Sequence, residues 1–330
     1  MTQTGATILG GIAGPDLAPG ERDFFRAADP WGFILFGRNI DTPARLERLT
    51  GALREAVGRN APVLIDQEGG RVQRMRAPHW TDFRPPLGQA ELGERAVWLH
   101  HHVLGRELRG VGIDADCAPV LDIARPETHS FLRDRCLGSD AATVSRLGRI
   151  AAEALLAAGV LPIIKHMPGH GRARVDSHKD LPVVDAPLAE LEASDFASFR
   201  ALSDLPLAMT AHIRFTAIDD APATQSAPVI AMIRDRIGFD GLLMSDDIGM
   251  EALSGSPAER AAATMAAGCD LVLSCNETLA QMEAIVAAAG RLSPQGMRRS
   301  ARALTLRHAP EPLDLADLRA ELRGLGGLAA

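Results

Sequence analysis

Two charged segments carry side chains whose types and spacing suit proton transfer. The first runs Lys165-His166-Met167-Pro168-Gly169-His170-Gly171 and continues to Asp176-Ser177-His178. Asp176 and His178 are two residues apart, so an extended or turning backbone can bring carboxylate and ring together. A carboxylate beside an imidazole orients the ring and favours its protonated form. That arrangement serves as a general acid–base near neutral pH. A D-x-H triplet alone also fits a loop turn with surface histidines, and it is the Lys165–His170 run before it that favours chemistry. The second segment, Leu242–Asp247, ends in the carboxylates Asp246 and Asp247. Adjacent strand residues point to opposite faces, so the two are not expected to share a site. One can face a pocket, while Asp247 is placed to cap the Ile248–Leu253 stretch.

A third segment, Asp66-Gln67-Glu68-Gly69-Gly70-Arg71-Val72-Gln73-Arg74, combines a glycine turn with alternating hydrogen-bonding side chains. Sugar hydroxyls need such acceptors and donors, with an Asp accepting and an Arg donating. An ion pair between Asp66 or Glu68 and Arg71 or Arg74 is the competing structural reading.

The elements that must position these residues repeat along the chain. Short apolar runs occur at Thr7–Ile12, Gly32–Phe36, Val63–Gln67, Ile113–Val120, Leu161–His166, Leu207–His212, Leu242–Asp247 and Asp270–Cys275. Helical spacing follows most of them, at Pro43–Gly58, Leu87–Gly110, Ala141–Ala158, Pro187–Ser203, Ala227–Ile237, Pro257–Ala267 and Asn276–Arg291. Alternating strand and helix implies a parallel α/β sheet, and eight repeats predict closure into a single (β/α)8 TIM barrel. An open doubly wound sheet is the rival, but Gly10, Gly11 and Gly14 do not spell its phosphate-binding fingerprint. One catalytic domain over residues 1–330 is expected, with closing helices at about residues 294–325. Asp66, Lys165, His166, His212, Asp246 and Asp247 all fall at strand C-terminal ends, the face of such a barrel that holds chemistry.

Composition narrows the partners. The 330 residues carry a formal net charge of −7 and no basic block, which argues against a nucleic-acid or anionic-membrane surface. Cys117, Cys136, Cys269 and Cys275 form no CxxC pair and are expected to be reduced. Met1–Gly20 lacks the pattern of a signal peptide, and no apolar run is long enough to span a bilayer. A cytoplasmic monomer acting on a small molecule is the expectation.

Taken together, the three segments resemble glycoside hydrolase family 3, in particular its bacterial β-N-acetylglucosaminidase branch of peptidoglycan recycling. The family's motifs are matched by Asp66–Arg74, by Lys165–Gly171 with Asp176 and His178, and by Ser245-Asp246-Asp247. Weaker matches are Phe36-Gly37-Arg38-Asn39, Thr210-Ala211-His212 and Gly268-Cys269-Asp270. The resemblance implies that Asp246 is the nucleophile, His178 the acid–base and Asp176 its orienting partner. It also implies that Asp66, Arg74, Arg135, Lys165 and His166 bind N-acetylglucosamine, with no cofactor and no metal. The implied substrates are muropeptide fragments carrying 1,6-anhydro-N-acetylmuramic acid. The chain departs from the branch at Met167, at Ile248-Gly249 and around Arg133-Asp134-Arg135, where Arg133 is the alternative sugar ligand. A phosphorylase on the same site, a metal-dependent hydrolase using His166 and His170, a Schiff-base aldolase using Lys165 and a non-catalytic sugar-binding protein are the rival readings.

Overall fold

A computed structural model describes residues 4–329. The first three residues of the Met1–Gly20 stretch lie outside them. Eight strands form the barrel: β1 (Gly5–Leu9), β2 (Pro30–Leu35), β3 (Val63–Ile65), β4 (Ala115–Asp116), β5 (Leu161–Met167), β6 (Leu207–Thr210), β7 (Leu242–Asp247) and β8 (Leu271–Ser274). Each strand pairs with its sequence neighbours in parallel, and β8 closes onto β1. The chain is therefore the (β/α)8 barrel that its repeats predict.

The two-residue period of a strand decides what faces the barrel axis. Ile8, Ile34, Leu64, Ile163, Met209 and Met244 share one buried cluster inside the ring. Their neighbours Leu9, Phe33, Val63 and Ile65 pack outward with helix residues such as Leu46, Leu49, Leu99 and Val103. Ile164, Ala208 and Leu243 likewise pack outward with Phe196, Phe199 and Ile233. Continuing the inward phase by two residues from Leu64, Ile163 and Met244 reaches Asp66, Lys165 and Asp246. Strand parity thus delivers three charged side chains to the C-terminal mouth.

Several helices differ from the sequence expectation. Helix Pro19–Ala28 was not anticipated between β1 and β2. It starts without a Ser, Thr, Asp or Asn cap; instead Glu21 accepts from the Ala13 and Ala18 amides, each at 2.8 Å. The Leu87–Gly110 stretch divides into Pro86–Glu91 and Glu94–Gly110, because Gly93 between them takes a φ of 98°. Pro187–Ser203 divides into Leu188–Ala193 and Asp195–Ala201 at Ser194, whose ψ of −82° is not helical. The first residue after that break, Asp195, is buried and holds both Arg125 and Arg172. Strand β4 (Ala115–Asp116) is shorter than the expected Ile113–Val120, although the Cys117 amide beyond it still donates to the Ile65 carbonyl at 2.9 Å.

Two closing helices lie within the expected 294–325 stretch, at Pro294–Leu304 and Leu315–Gly324. The first receives the Trp31 indole N–H on Ser300 Oγ at 2.7 Å. The second buries Leu318 and Leu322 beside Leu104 and Leu108. No helix among the described residues is long and apolar enough to cross a membrane.

Candidate active site

Lys165, buried at the end of β5, lies 2.9 Å from Asp66 Oδ1 and 2.6 Å from Glu68 Oε1. Glu68 is also gripped by Arg135, whose Nε and Nη2 each donate at 2.7 Å. Arg74 Nη2 approaches Asp66 Oδ2 at 3.4 Å. Burial alone would neutralise these groups, but their mutual attraction prevails. Against burial, Lys165 and Arg74 hold Asp66 well below the usual carboxylate range. Arg135 and Lys165 hold Glu68 down at about 2. Asp66 and Glu68, again overcoming burial, keep Lys165 above its ordinary value. Lys165 is thus a fixed ammonium, not the free amine that a Schiff-base mechanism needs.

His166 follows Lys165 and turns to the β4 side, where its Nδ1 lies 2.7 Å from Asp122 Oδ2. Asp122 and Glu68 were not among the sequence candidates. Their signals were present: Asp122 follows the Cys117–Leu121 run that leaves β4, and Glu68 lies within the turn after β3. His170 is spoken for as well, with its Nε2 at 3.2 Å from Ser177 Oγ.

On β7, Asp246 Oδ1 accepts from the Asp247 amide at 2.8 Å. Burial opposes its ionisation, but His212, His166, that amide and Lys165 outweigh burial and lower its pKa. The Asp247 carboxylate instead accepts from the amides of Gly249 at 3.0 Å and Cys275 at 3.2 Å. Burial and the nearby Glu277 carboxylate raise its pKa to about 7. The expected helix over Ile248–Leu253 is a run of turns, so Asp247 caps a turn after β7 and ties it to the end of β8. His212 bridges the floor, with Nδ1 on Thr224 Oγ1 at 2.8 Å and Nε2 on the Asp247 carbonyl at 2.9 Å.

The long connection after β5 brings His178 to the mouth. Its Nδ1 is 2.7 Å from Asp176 Oδ1. Burial works against ionisation of Asp176, but the hydrogen bonds from His178 keep its pKa below the ordinary value. Phe131 presents an edge-on ring 6.3 Å from the His178 centroid.

These groups border one cavity of about 400 Å³, lined by Asp66, Arg74, Arg135, Lys165, His166, Asp176, His178 and Asp246. All eight sequence-predicted site residues therefore converge. Asp247 lines the same cavity, which corrects the expectation that the two carboxylates do not share a site, while its contacts to the Gly249 and Cys275 amides match the expected capping role. Arg133 does not line it; its guanidinium binds the Pro126 and Thr128 carbonyls. Arg135 is the arginine that reaches this site.

The model of the glycosyl hydrolase family 3 N terminal domain matches residues 30–305. The chain belongs to that family. It is a glycoside hydrolase, as its three motifs implied. A β-hexosaminidase of Bordetella parapertussis is 37% identical over 287 residues, covering 82% of this chain and 79% of the relative. One from Alkalilimnicola ehrlichii is 36% identical and covers 94% of this chain and 86% of its own. Among solved structures, NagZ from Neisseria gonorrhoeae in complex with N-trifluoroacetyl-D-glucosamine superposes with a TM-score of 0.88. It is 28% identical, with 99% of both chains covered.

Proposed function

We propose that this family 3 enzyme is a retaining β-N-acetylglucosaminidase that removes terminal β-linked N-acetylglucosamine through a covalent glycosyl-enzyme. The observation that carries the reading is a division of labour at one cavity. Asp246 is a carboxylate kept ionised, and His178 is an imidazole held by Asp176 at 2.7 Å. In the first step an Asp246 oxygen attacks the anomeric carbon as the bond to the leaving oxygen breaks. His178, protonated, gives its Nε2 proton to that oxygen. In the second step His178 takes a proton from water, whose oxygen attacks the same carbon and frees Asp246. Each step inverts the centre, so the two together retain configuration.

Asp66, Arg74, Arg135, Lys165 and His166 hold the sugar. Their charges are already paired before substrate arrives, so little reorganisation accompanies binding. The preference for N-acetylglucosamine is supported by relatives named β-hexosaminidase and by the neighbour solved with N-trifluoroacetyl-D-glucosamine. Peptidoglycan fragments ending in an anhydro-muramyl peptide are the natural substrates on this reading, supported by the motif resemblance. We also propose a cytoplasmic monomer; its four cysteines are all buried and unpaired.

The direct test is release of 4-nitrophenol from the β-N-acetylglucosaminide and from the β-glucoside. Turnover of the first, with the second at least about a hundredfold slower, fits a site that leaves buried polar groups unpaired when the acetamide is missing. Equal turnover of both would overturn the substrate assignment.

A further inference from the structure

Asp122 sits just beyond the C-terminal end of β4 and is 1% exposed. Its hydrogen bonds run to the chain leaving β5. Oδ2 lies 2.7 Å from His166 Nδ1 and accepts from the His166 amide at 3.3 Å, while Oδ1 accepts from the His170 amide at 2.6 Å. An ionised carboxylate offers only lone pairs, so the ring nitrogen facing it must be the donor. Burial lifts the Asp122 pKa to about 6, against the pull of His170 and Arg135, which leaves it ionised at neutral pH. His166 is neutral there, because burial and the Arg135 guanidinium push its pKa down to about 3. A neutral ring with its proton on Nδ1 has a bare Nε2, and Arg135 Nη2 stands 3.4 Å from that nitrogen. The opposite tautomer would set a ring N–H against a guanidinium N–H.

We propose that Asp122 is a positioning residue that acts through His166, fixing the Nδ1–H tautomer so that the single lone pair of Nε2, which Arg135 Nη2 only approaches at 3.4 Å while donating to Glu68 at 2.7 Å, passes to a hydroxyl of the bound sugar. The hydroxyl rests on the sugar reading given above; the tautomer does not. The same carboxylate fixes where the His178-bearing loop departs, through the His170 amide. The loop base is seated further by Thr128 Oγ1, which donates to the Gly171 carbonyl at 2.5 Å.

The experiment is long-range proton–nitrogen correlation NMR on enzyme labelled with 15N-histidine, with His166 assigned through His166→Ala. In the free wild-type enzyme His166 should show a protonated Nδ1 and a bare Nε2. Asp122→Asn has a single oxygen, which the His170 amide claims, so its NH2 turns to the ring and the tautomer should reverse. KM on an N-acetylglucosaminide should then rise about tenfold, the worth of one hydrogen bond to a buried site, with a smaller change in kcat. In a His166→Ala background, adding Asp122→Asn should change KM by no more than about twofold, since residues acting as a unit are not additive. An Nε2–H tautomer or an imidazolium in the wild type overturns the proposal, whether or not the variant folds. An undiminished KM penalty in the His166→Ala background also overturns it. Failure of the wild type to cleave N-acetylglucosaminides would sink the sugar reading while leaving the tautomer result intact.

Discussion

The backbone amide and the ring of His178 both bind a single oxygen, Asp176 Oδ1, at 3.0 and 2.7 Å. That double contact closes a tight turn and fixes the ring against its own backbone. The side chain of His178 stays 63% exposed while that of Asp176 is 21% exposed, so the carboxylate is buttressed and the ring faces the open mouth. The turn is slung between two anchors. One is the loop base at Asp122 and Thr128; the other is the short parallel pairing of Val183–Val184 with Arg214–Phe215.

Removing His178 should hurt in proportion to how badly the leaving group needs a proton. His178→Ala is expected to lose at least about a hundredfold on a disaccharide, within the usual range for general acid catalysis. On a dinitrophenyl glycoside, whose phenolate departs unaided, formation of the glycosyl-enzyme should slow by less than about tenfold. Asp176→Ala should follow the same trend more mildly. Azide added to His178→Ala should yield a β-glycosyl azide. Burst and steady-state kinetics across a leaving-group series check this; equal losses on both substrates would leave His178 as a binding residue only.

Lys165→Ala should destabilise the fold as well as weaken sugar binding. The substitution leaves Asp66 and Glu68 as two carboxylates with the ammonium between them gone. Removing one partner of a buried ion pair costs about 3–5 kcal/mol, read as a lowered denaturant midpoint with an unchanged slope. An unaltered midpoint would show that Arg135 and Arg74 suffice to hold both acids.

Asp247 should make stability depend on pH in a direction opposite to Asp66, Glu68, Asp176 and Asp246, whose pKa values are lowered. Its pKa is raised from 3.8 to about 7, by burial and Glu277. The folded state therefore binds more protons than the unfolded chain between those values, so stability falls as pH rises through that window. Glu68, held down at about 2 from 4.5, loses its contribution instead as pH falls through that range. Asp247→Asn keeps an oxygen for the Gly249 and Cys275 amides and removes the charge. Relative to wild type it should gain on the order of 1–3 kcal/mol between pH 4 and pH 8, measured by urea unfolding at each pH. Parallel stability curves for the two proteins would contradict the raised pKa.

Much of this site could be read before folding was considered, and the parts that could not share a physical cause. Asp66, Lys165 and Asp246 were legible because strand parity carries the inward phase of Leu64, Ile163 and Met244 onto them. Asp176 and His178 were legible because their contact is local, two residues apart. Asp122 was not, since its importance comes from His166 and His170, 44 and 48 residues away. Glu68 was set aside as a local ion-pair candidate, yet its partners are Arg135 and Lys165, far along the chain. Helix Pro19–Ala28 escaped because Ala18 stands where a Ser, Thr, Asp or Asn cap would mark the start, although Pro19 and Glu21 in its first turn are themselves start signals. Asp247 was expected as a cap and serves as one through the Gly249 amide; that it also borders the cavity was not expected, and follows from its place as the last residue of β7, at the barrel mouth.

With Asp246 as the proposed nucleophile, catalysis by the substrate's own acetamide should not operate here. Thiazolines that mimic an oxazoline intermediate are therefore expected to bind no better than N-acetylglucosamine itself. Inhibition constants for the two compounds decide the matter; strong, selective thiazoline binding would point to neighbouring-group participation.

The central claim is that Asp246 becomes esterified to the sugar. A slow fluorinated N-acetylglucosaminide substrate analogue should trap that ester, and peptide mass spectrometry of the quenched enzyme should find one added glycosyl group. The account predicts the group on Asp246, with no label in Asp246→Asn although that variant still binds the sugar. Label on Asp247, or an unlabelled enzyme whose product shows inverted configuration by NMR, would contradict it.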